Sequence, residues 1–193
     1  MKQKGFTLIE LLVVISIIGL LASIVLIALN DARAKARDAK RVADMKQLVT
    51  ALNLYYNDNQ DSYPPVNPAA VGPGGWEVSL NSGFLSSLSK YISATPKDPI
   101  NGYVDANLFT RSGNYYYAYY NYPAASAAGY GCTFNAAFSV LAVVKLEKGV
   151  TPSTPKATCG TFPSGVCAGG GIVNVCRDWS TEFDYSVMLV QGQ

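Results

Sequence analysis

The chain has 193 residues, a formal net charge of +2 and no histidine. The missing histidine excludes Ser-His-Asp and Cys-His catalysis and any His-containing zinc site. The near-zero charge supplies no global basic field for nucleic acid, and the length leaves room for one globular domain beyond a membrane helix.

A short leader, Met1-Lys2-Gln3-Lys4-Gly5, precedes the run FTLIELLVVISIIGLLASIVLIAL from Phe6 to Leu29. Its only charge is Glu10, and the nineteen residues 11–29 that follow are uncharged. As a helix those residues cover roughly 29 Å, close to the ~30 Å hydrocarbon core of a bilayer. The run has no polar face of the kind a buried core helix shows, so a transmembrane helix is predicted. A carboxylate in such a helix is costly, roughly 2.5–3.5 kcal/mol for Asp at mid-helix on insertion scales, so Glu10 is expected to have a partner.

The basic leader, Gly5, Phe6, then Thr-Leu-Ile-Glu and an apolar run together resemble the class III signal of type IV pilins and type II secretion pseudopilins. The resemblance implies that a prepilin peptidase cuts after Gly5. It also implies that Phe6 becomes a methylated N-terminus and that Glu10 guides subunit assembly. Cleavage would remove Lys2 and Lys4, the two excess charges, and leave a formally neutral protein. An ordinary secretory signal peptide, cut near Ala32-Arg33-Ala34, has an apolar region of about 7–15 residues. The run here is longer and contains Glu10. The flank of Arg33, Lys35, Arg37, Lys40 and Arg41 would favour a cytoplasmic head by the positive-inside rule. The leader motif and the cysteines point the other way and are given more weight.

Residues 30–57 contain no Gly or Pro and are rich in Ala, Arg, Lys and Leu, so the helix is predicted to continue through them and, counted from Phe6, to run about 52 residues, roughly 78 Å. Val42, Met45, Val49, Leu52 and Tyr56 form an apolar stripe at steps of three and four. Opposite it lie Lys35, Asp38, Arg41 and Asp44, which can pair at i,i+3; a solvated face is expected there, with contact of the basic cluster to anionic lipid headgroups as the alternative. This segment also resembles the pilin stem. Gly19 lies mid-membrane, where a small residue allows close helix approach.

Residues 57–81 read as a loop. Ser82 is the expected cap of a short helix over 83–92, with Phe84, Leu85, Leu88, Tyr91 and Ile92 inward. Thr95-Pro96-Lys97-Asp98-Pro99 follows, then an Asn101-Gly102 turn. The Tyr-Pro after the stem, the helix ending in Lys90-Tyr91 and the Pro-Lys-Asp-Pro resemble the major pseudopilin pattern. Tyr115–Tyr122 is a candidate strand, its tyrosines half buried in the core and half exposed, which outweighs a base-stacking role. Phe134, Phe138, Val140, Ala142, Val144 and Leu146 alternate as in a strand, with Lys145 and Glu147 facing the other way. Shorter strands are expected at 172–175 and 183–190. The predicted fold class is α+β, a long N-terminal transmembrane and amphipathic helix packed on an antiparallel β-sheet head, the type IV pilin fold that the resemblance implies. The helix stripe and the even-numbered strand face are expected to form the core. The expected division is a leader (1–5), a membrane half (6–29) and an amphipathic half (30–57) of the helix, and a head (58–193).

Cys132, Cys159, Cys167 and Cys176 are spaced by twenty-seven, eight and nine, which gives no CxxC pair for zinc or thioredoxin-type chemistry. Their even count beyond a membrane anchor fits two disulfides in an oxidising compartment, in any of three connectivities. Asp178, Glu182 and Asp184 cluster near the C-terminus, but hard cations take six to eight oxygens, and solvated loop charges are expected. Gly169–Gly171 is not a phosphate loop. No enzyme, cofactor or metal site is predicted.

The reading is a structural subunit that polymerises through its N-terminal helix into a type IV pilus or pseudopilus. Its implied partners are copies of itself in a helical filament, the inner membrane, the prepilin peptidase and a pilus or secretion assembly machinery; nucleic acid is not among them. Its expected location is the inner membrane, single-pass with the head outside, then a cell-surface or periplasmic filament. A minor or tip subunit acting as adhesin or DNA-uptake receptor is the first rival. A membrane-anchored secreted enzyme is the second, and the missing histidine and nucleophile motifs argue against it.

Overall fold

The computed structural model describes residues 5, 7–102, 113–130, 132–149, 179 and 183–192. Helix α1, Leu8–Asp58, is unbroken for 51 residues, about 76 Å. It ends where the Asn59 side chain donates to the Tyr55 carbonyl at 2.7 Å and its backbone leaves the helical region. Strands β1 (Glu77–Val78), β2 (Tyr117–Tyr122), β3 (Phe138–Val143) and β4 (Tyr185–Val190) form one antiparallel sheet in the order β1-β2-β3-β4. A six-residue helix α2, Ala124–Gly129, joins β2 to β3. The predicted α+β architecture, a long helix against an antiparallel sheet, is the one observed.

Two aspects of the packing differ from expectation. The stem does not meet the even-numbered face of β3. Tyr117, Tyr119, Leu141, Val143, Tyr185 and Leu189 pack towards Met45, Leu48, Ala51 and Leu52 of α1. The even face, with Phe138, Val140, Ala142 and Val144, packs away from the stem on Trp76, Val78, Trp179 and Phe183. All six β3 residues are buried, because both faces of the sheet are covered and polar alternation is therefore lost. Four tyrosines of the 115–122 segment (Tyr116, Tyr117, Tyr119 and Tyr122) are buried, and Tyr115 and Tyr120 are half-buried, so no exposed stacking platform forms. Instead Tyr122 stacks on Phe138 at 4.8 Å. The Tyr119 hydroxyl donates to the Pro64 carbonyl at 2.7 Å.

The buried face of the stem is also rotated from the predicted stripe. It runs through Arg41, Asp44, Met45, Leu48, Ala51 and Leu52, while Val42, Val49 and Tyr56 are only partly buried. Arg41 and Asp44, expected in solvent, are 0% and 6% exposed. Their charges are neutralised by partners, which is the condition for burying them. Arg41 donates from Nε and Nη2 to Asp98 at 2.6 and 3.0 Å, and from Nη1 to Asp38 and Glu147 at 2.7 and 2.9 Å. Asp44 accepts from Lys40 at 2.9 Å and from the Tyr117 hydroxyl at 2.7 Å. Burial alone would lower the Arg41 pKa, but the Asp98, Glu147 and Asp38 carboxylates raise it. A periodicity read on apolar side chains alone passes over charged residues on the inward face.

The short helix is smaller than predicted. Only Ser86–Lys90 is helical, as a 3₁₀ turn, and Ser82 does not cap it. Leu85 is left-handed at φ 46° and donates its N–H to the buried Glu77 carboxylate at 2.8 Å, which fixes the chain out of the α region just before the turn. Glu77 also accepts from the Asn67 N–H. The predicted loop 57–81 thus contains β1 and two 3₁₀ turns, Pro68–Ala70 and Pro73–Gly75, laid around that carboxylate. Leu146 lies in the stem-side core rather than with the even strand face, because β3 ends at Val143. Asp184 is buried, not solvated, and accepts from the Leu146 N–H at 2.8 Å. Asp178, Glu182, Gly169–Gly171 and the expected strand 172–175 lie outside the described residues.

Candidate functional site

The site begins where the leader meets α1. Gly5 is exposed, and a Cβ placed on it would meet nothing within 4 Å, so the fold itself does not require glycine there. Phe6 lies outside the described residues. Thr7 is the N-cap of α1, extended at φ −86° and ψ 150°. Its N–H and hydroxyl both donate to the Glu10 Oε2, at 2.9 and 2.7 Å, and the Glu10 N–H donates back to the Thr7 hydroxyl at 3.3 Å. This reciprocal capping box satisfies two of the backbone donors that every helix start leaves open. It also places a negative charge at the positive end of the helix dipole. Thr7 is the residue that sequence reasoning left without a role, although the Thr-x-x-Glu spacing before an apolar run is the capping-box signature.

Every residue from Thr7 to Asn30 is exposed, on all sides of the helix. Leu8 and Ile27, near its two ends, are 81% and 74% exposed. Ser16 and Ser23 donate their hydroxyls back to the Leu12 and Leu20 carbonyls, both at 2.7 Å, so the run offers no unsatisfied polar atom from its serines. A Cβ on Gly19 would likewise meet nothing within 4 Å. Among the described residues, one helix is long and apolar enough to cross a membrane. At about 25 cal/mol per Å², a helix face of this size demands either lipid or other helices around it.

Cys132 is disulfide-bonded; Cys159, Cys167 and Cys176 lie outside the described residues. No group of three or more potential metal ligands occurs among the described residues.

A family profile described as the prokaryotic N-terminal methylation motif matches residues 1–26. The type II secretion system core protein G of Escherichia coli (strain K12) is 40% identical over 113 residues, which are 55% of this chain and 73% of that protein. The core protein G of Aeromonas hydrophila is 46% identical over 104 residues, 51% of this chain and 68% of that protein. The type IV major pilin protein PilE1 of Neisseria gonorrhoeae is 42% identical over 69 residues, 36% of this chain and 32% of that protein. No solved structure matches. By this similarity the chain belongs to the pilin and pseudopilin family that includes type II secretion core protein G.

Proposed function

We propose that this chain is a structural subunit that polymerises through its N-terminal helix into a pseudopilus or type IV pilus filament. The observation that carries the reading is the apolar half of α1, exposed on every side and headed by one capped carboxylate. The pseudopilus is favoured because similarity to core protein G covers 113 residues, against 69 for PilE1.

The prepilin peptidase removes residues 1–5 and Phe6 becomes the methylated N-terminus. The helix over 6–29 holds the protein in the inner membrane with the head outside, until an assembly machinery moves it into a cell-surface or periplasmic filament. The segment over 30–57 carries the head, 58–193, and the four cysteines form two disulfides in that compartment. In the filament, the amine of one subunit pairs with Glu10 of a neighbour shifted along the axis. An isolated charge in an apolar filament core costs several kcal/mol, so the pair fixes register while the flanking Leu and Ile residues supply area. A carboxylate has lone pairs for the Thr7 donors and an amine together. Gly19, which nothing in its own chain requires, allows a neighbouring helix to approach closely.

The capping box shapes the test. Glu10→Gln keeps an acceptor for Thr7, since Gln serves at this position, but removes the charge. As the sole subunit it is expected to accumulate in the membrane, lose its leader and form no filaments. Glu10→Ala is expected to behave likewise. Normal filaments from Glu10→Gln would show that the charge is dispensable. Gly5→Val is expected to leave the leader attached in a normally folded chain.

A further inference from the structure

The stem carries a second feature that its apolar surface does not explain. The apolar contacts of α1 with the stem-side core begin at Val42 and centre on Met45–Leu52. Between Asp31 and Arg41, about 15 Å of helix nearer the membrane, the head is held mainly by charges. The loop after β3 lies along this stretch. The N–H groups of Glu147 and Lys148 donate to the Asp38 carboxylate at 2.9 and 2.8 Å. The Glu147 carboxylate accepts a fork from Arg37 at 2.7 and 2.6 Å, and the Lys148 ammonium pairs with Asp31. From the other side, Asp98 of the Pro-Lys-Asp-Pro segment takes the bidentate fork of Arg41. Two separate loops of the head thus close on the Asp31–Arg41 stretch of the stem, with Arg41 fully buried between them.

Apolar burial is non-directional, so the core at Met45–Leu52 tolerates small rotations and slides of helix against sheet. Paired planar forks do not, because each needs its partner in one plane and at one distance. We infer that this ionic clamp, centred on Arg41, is a positioning device that sets the height and rotation of the head on the stem. The inference rests on the filament reading for its purpose. Glu10 lies 31 residues down the same helix, roughly 46 Å away. Subunits in register at Glu10 present their heads equivalently only if each head sits on its stem in one pose. Arg41 acts through that pose and does not itself touch the assembling helix ends.

The test uses full-length protein in detergent micelles, with nitroxide labels on Ala36→Cys in the clamped stretch and Ser87→Cys on the head, both exposed positions. Pulsed electron spin resonance then reads the stem-to-head distance distribution without needing a filament. The parent is expected to give one narrow distance. Arg41→Lys keeps the charge and loses the forks; a second, displaced population is expected to rise about tenfold, the shift that losing one charge-assisted hydrogen bond produces. Glu147→Gln, outside the apolar core, is expected to give the same change in smaller degree with the fold intact. Both variants are expected to yield fewer filaments. Parent-like narrow distances in Glu147→Gln, or in a folded Arg41→Lys, would overturn the positioning role. Glu10→Gln keeps the narrow distance whatever it does to filaments, so failure of the clamp and failure of the assembly reading are told apart.

Discussion

Replacing Asp98 by alanine removes both acceptors from the Nε and Nη2 side of Arg41, a guanidinium that is 0% exposed. Water cannot take their place without opening the junction. Arg41 keeps Asp38 and Glu147 on Nη1, so the charge is not left alone, but two buried N–H donors lose their partners. The same carboxylate also accepts the N–H groups of Ile100 and Asn101, at 2.8 and 3.3 Å, and so shapes the turn in which Asn101 is left-handed. Breaking one side of a buried pair costs about 3–5 kcal/mol, a large part of the 5–15 kcal/mol typical of a domain. Urea unfolding of the full chain in detergent, followed by tryptophan fluorescence, suits this measurement because Trp76 and Trp179 are both buried in the head. With a urea slope of about 1–3 kcal/mol/M, the midpoint is expected to fall by about 2 M. Asp98→Asn keeps one acceptor and is expected to lose less. A loss below about 1 kcal/mol for Asp98→Ala would mean that the junction is wet and the pair contributes as a surface salt bridge does.

Leu48, fully buried at the centre of the stem–sheet contact, is expected to cost about 2–5 kcal/mol when cut to alanine, measured in the same titration. Tyr117→Phe removes the hydroxyl that donates to buried Asp44 at 2.7 Å, and a loss of about 1.5–3 kcal/mol is expected for a bond to a charged group; an unchanged midpoint would show that Lys40 alone satisfies Asp44. The Arg37 fork, helped by Arg41 and against some burial, holds the Glu147 carboxyl down at about 2, from an ordinary 4.5. A depressed carboxyl contributes stability fully above its unfolded pKa and loses it as pH falls through its folded one. The stability difference between the parent and Glu147→Gln is therefore expected to be full above about pH 4.5 and to vanish near pH 2. Glu77, pushed up by burial, has the opposite sign, and comparing the variant with the parent cancels it. A difference that grows on acidification would contradict the Glu147 ion pairs.

The outline of the fold was legible because its strongest signals are local. The apolar run and the Ala- and Lys-rich stretch after it have one reading as a helix, and Phe138–Val143 and Tyr185–Val190 have one reading as strands. Which face goes inward was not legible, since it is decided by partners distant in sequence. Arg41 finds Asp98 and Glu147 across 57 and 106 residues, and no stem periodicity reveals that. Both faces of β3 being apolar, alternation could not choose between them, and the Trp76–Trp179–Phe183 layer that covers the even face is assembled from separate segments. At the site, the Gly5–Glu10 motif was readable by resemblance. The Thr7 cap was readable from physics, through a spacing whose meaning the family motif obscured.

Mass analysis of filaments sheared from the surface of cells that produce this chain at high level tests the central claim most directly. High level matters because a pseudopilus need not otherwise reach the surface. The account predicts filaments built mainly of this chain, with a mature mass that starts at a methylated Phe6. Filaments lacking the chain, or a subunit whose N-terminus lies near Lys35, would contradict it.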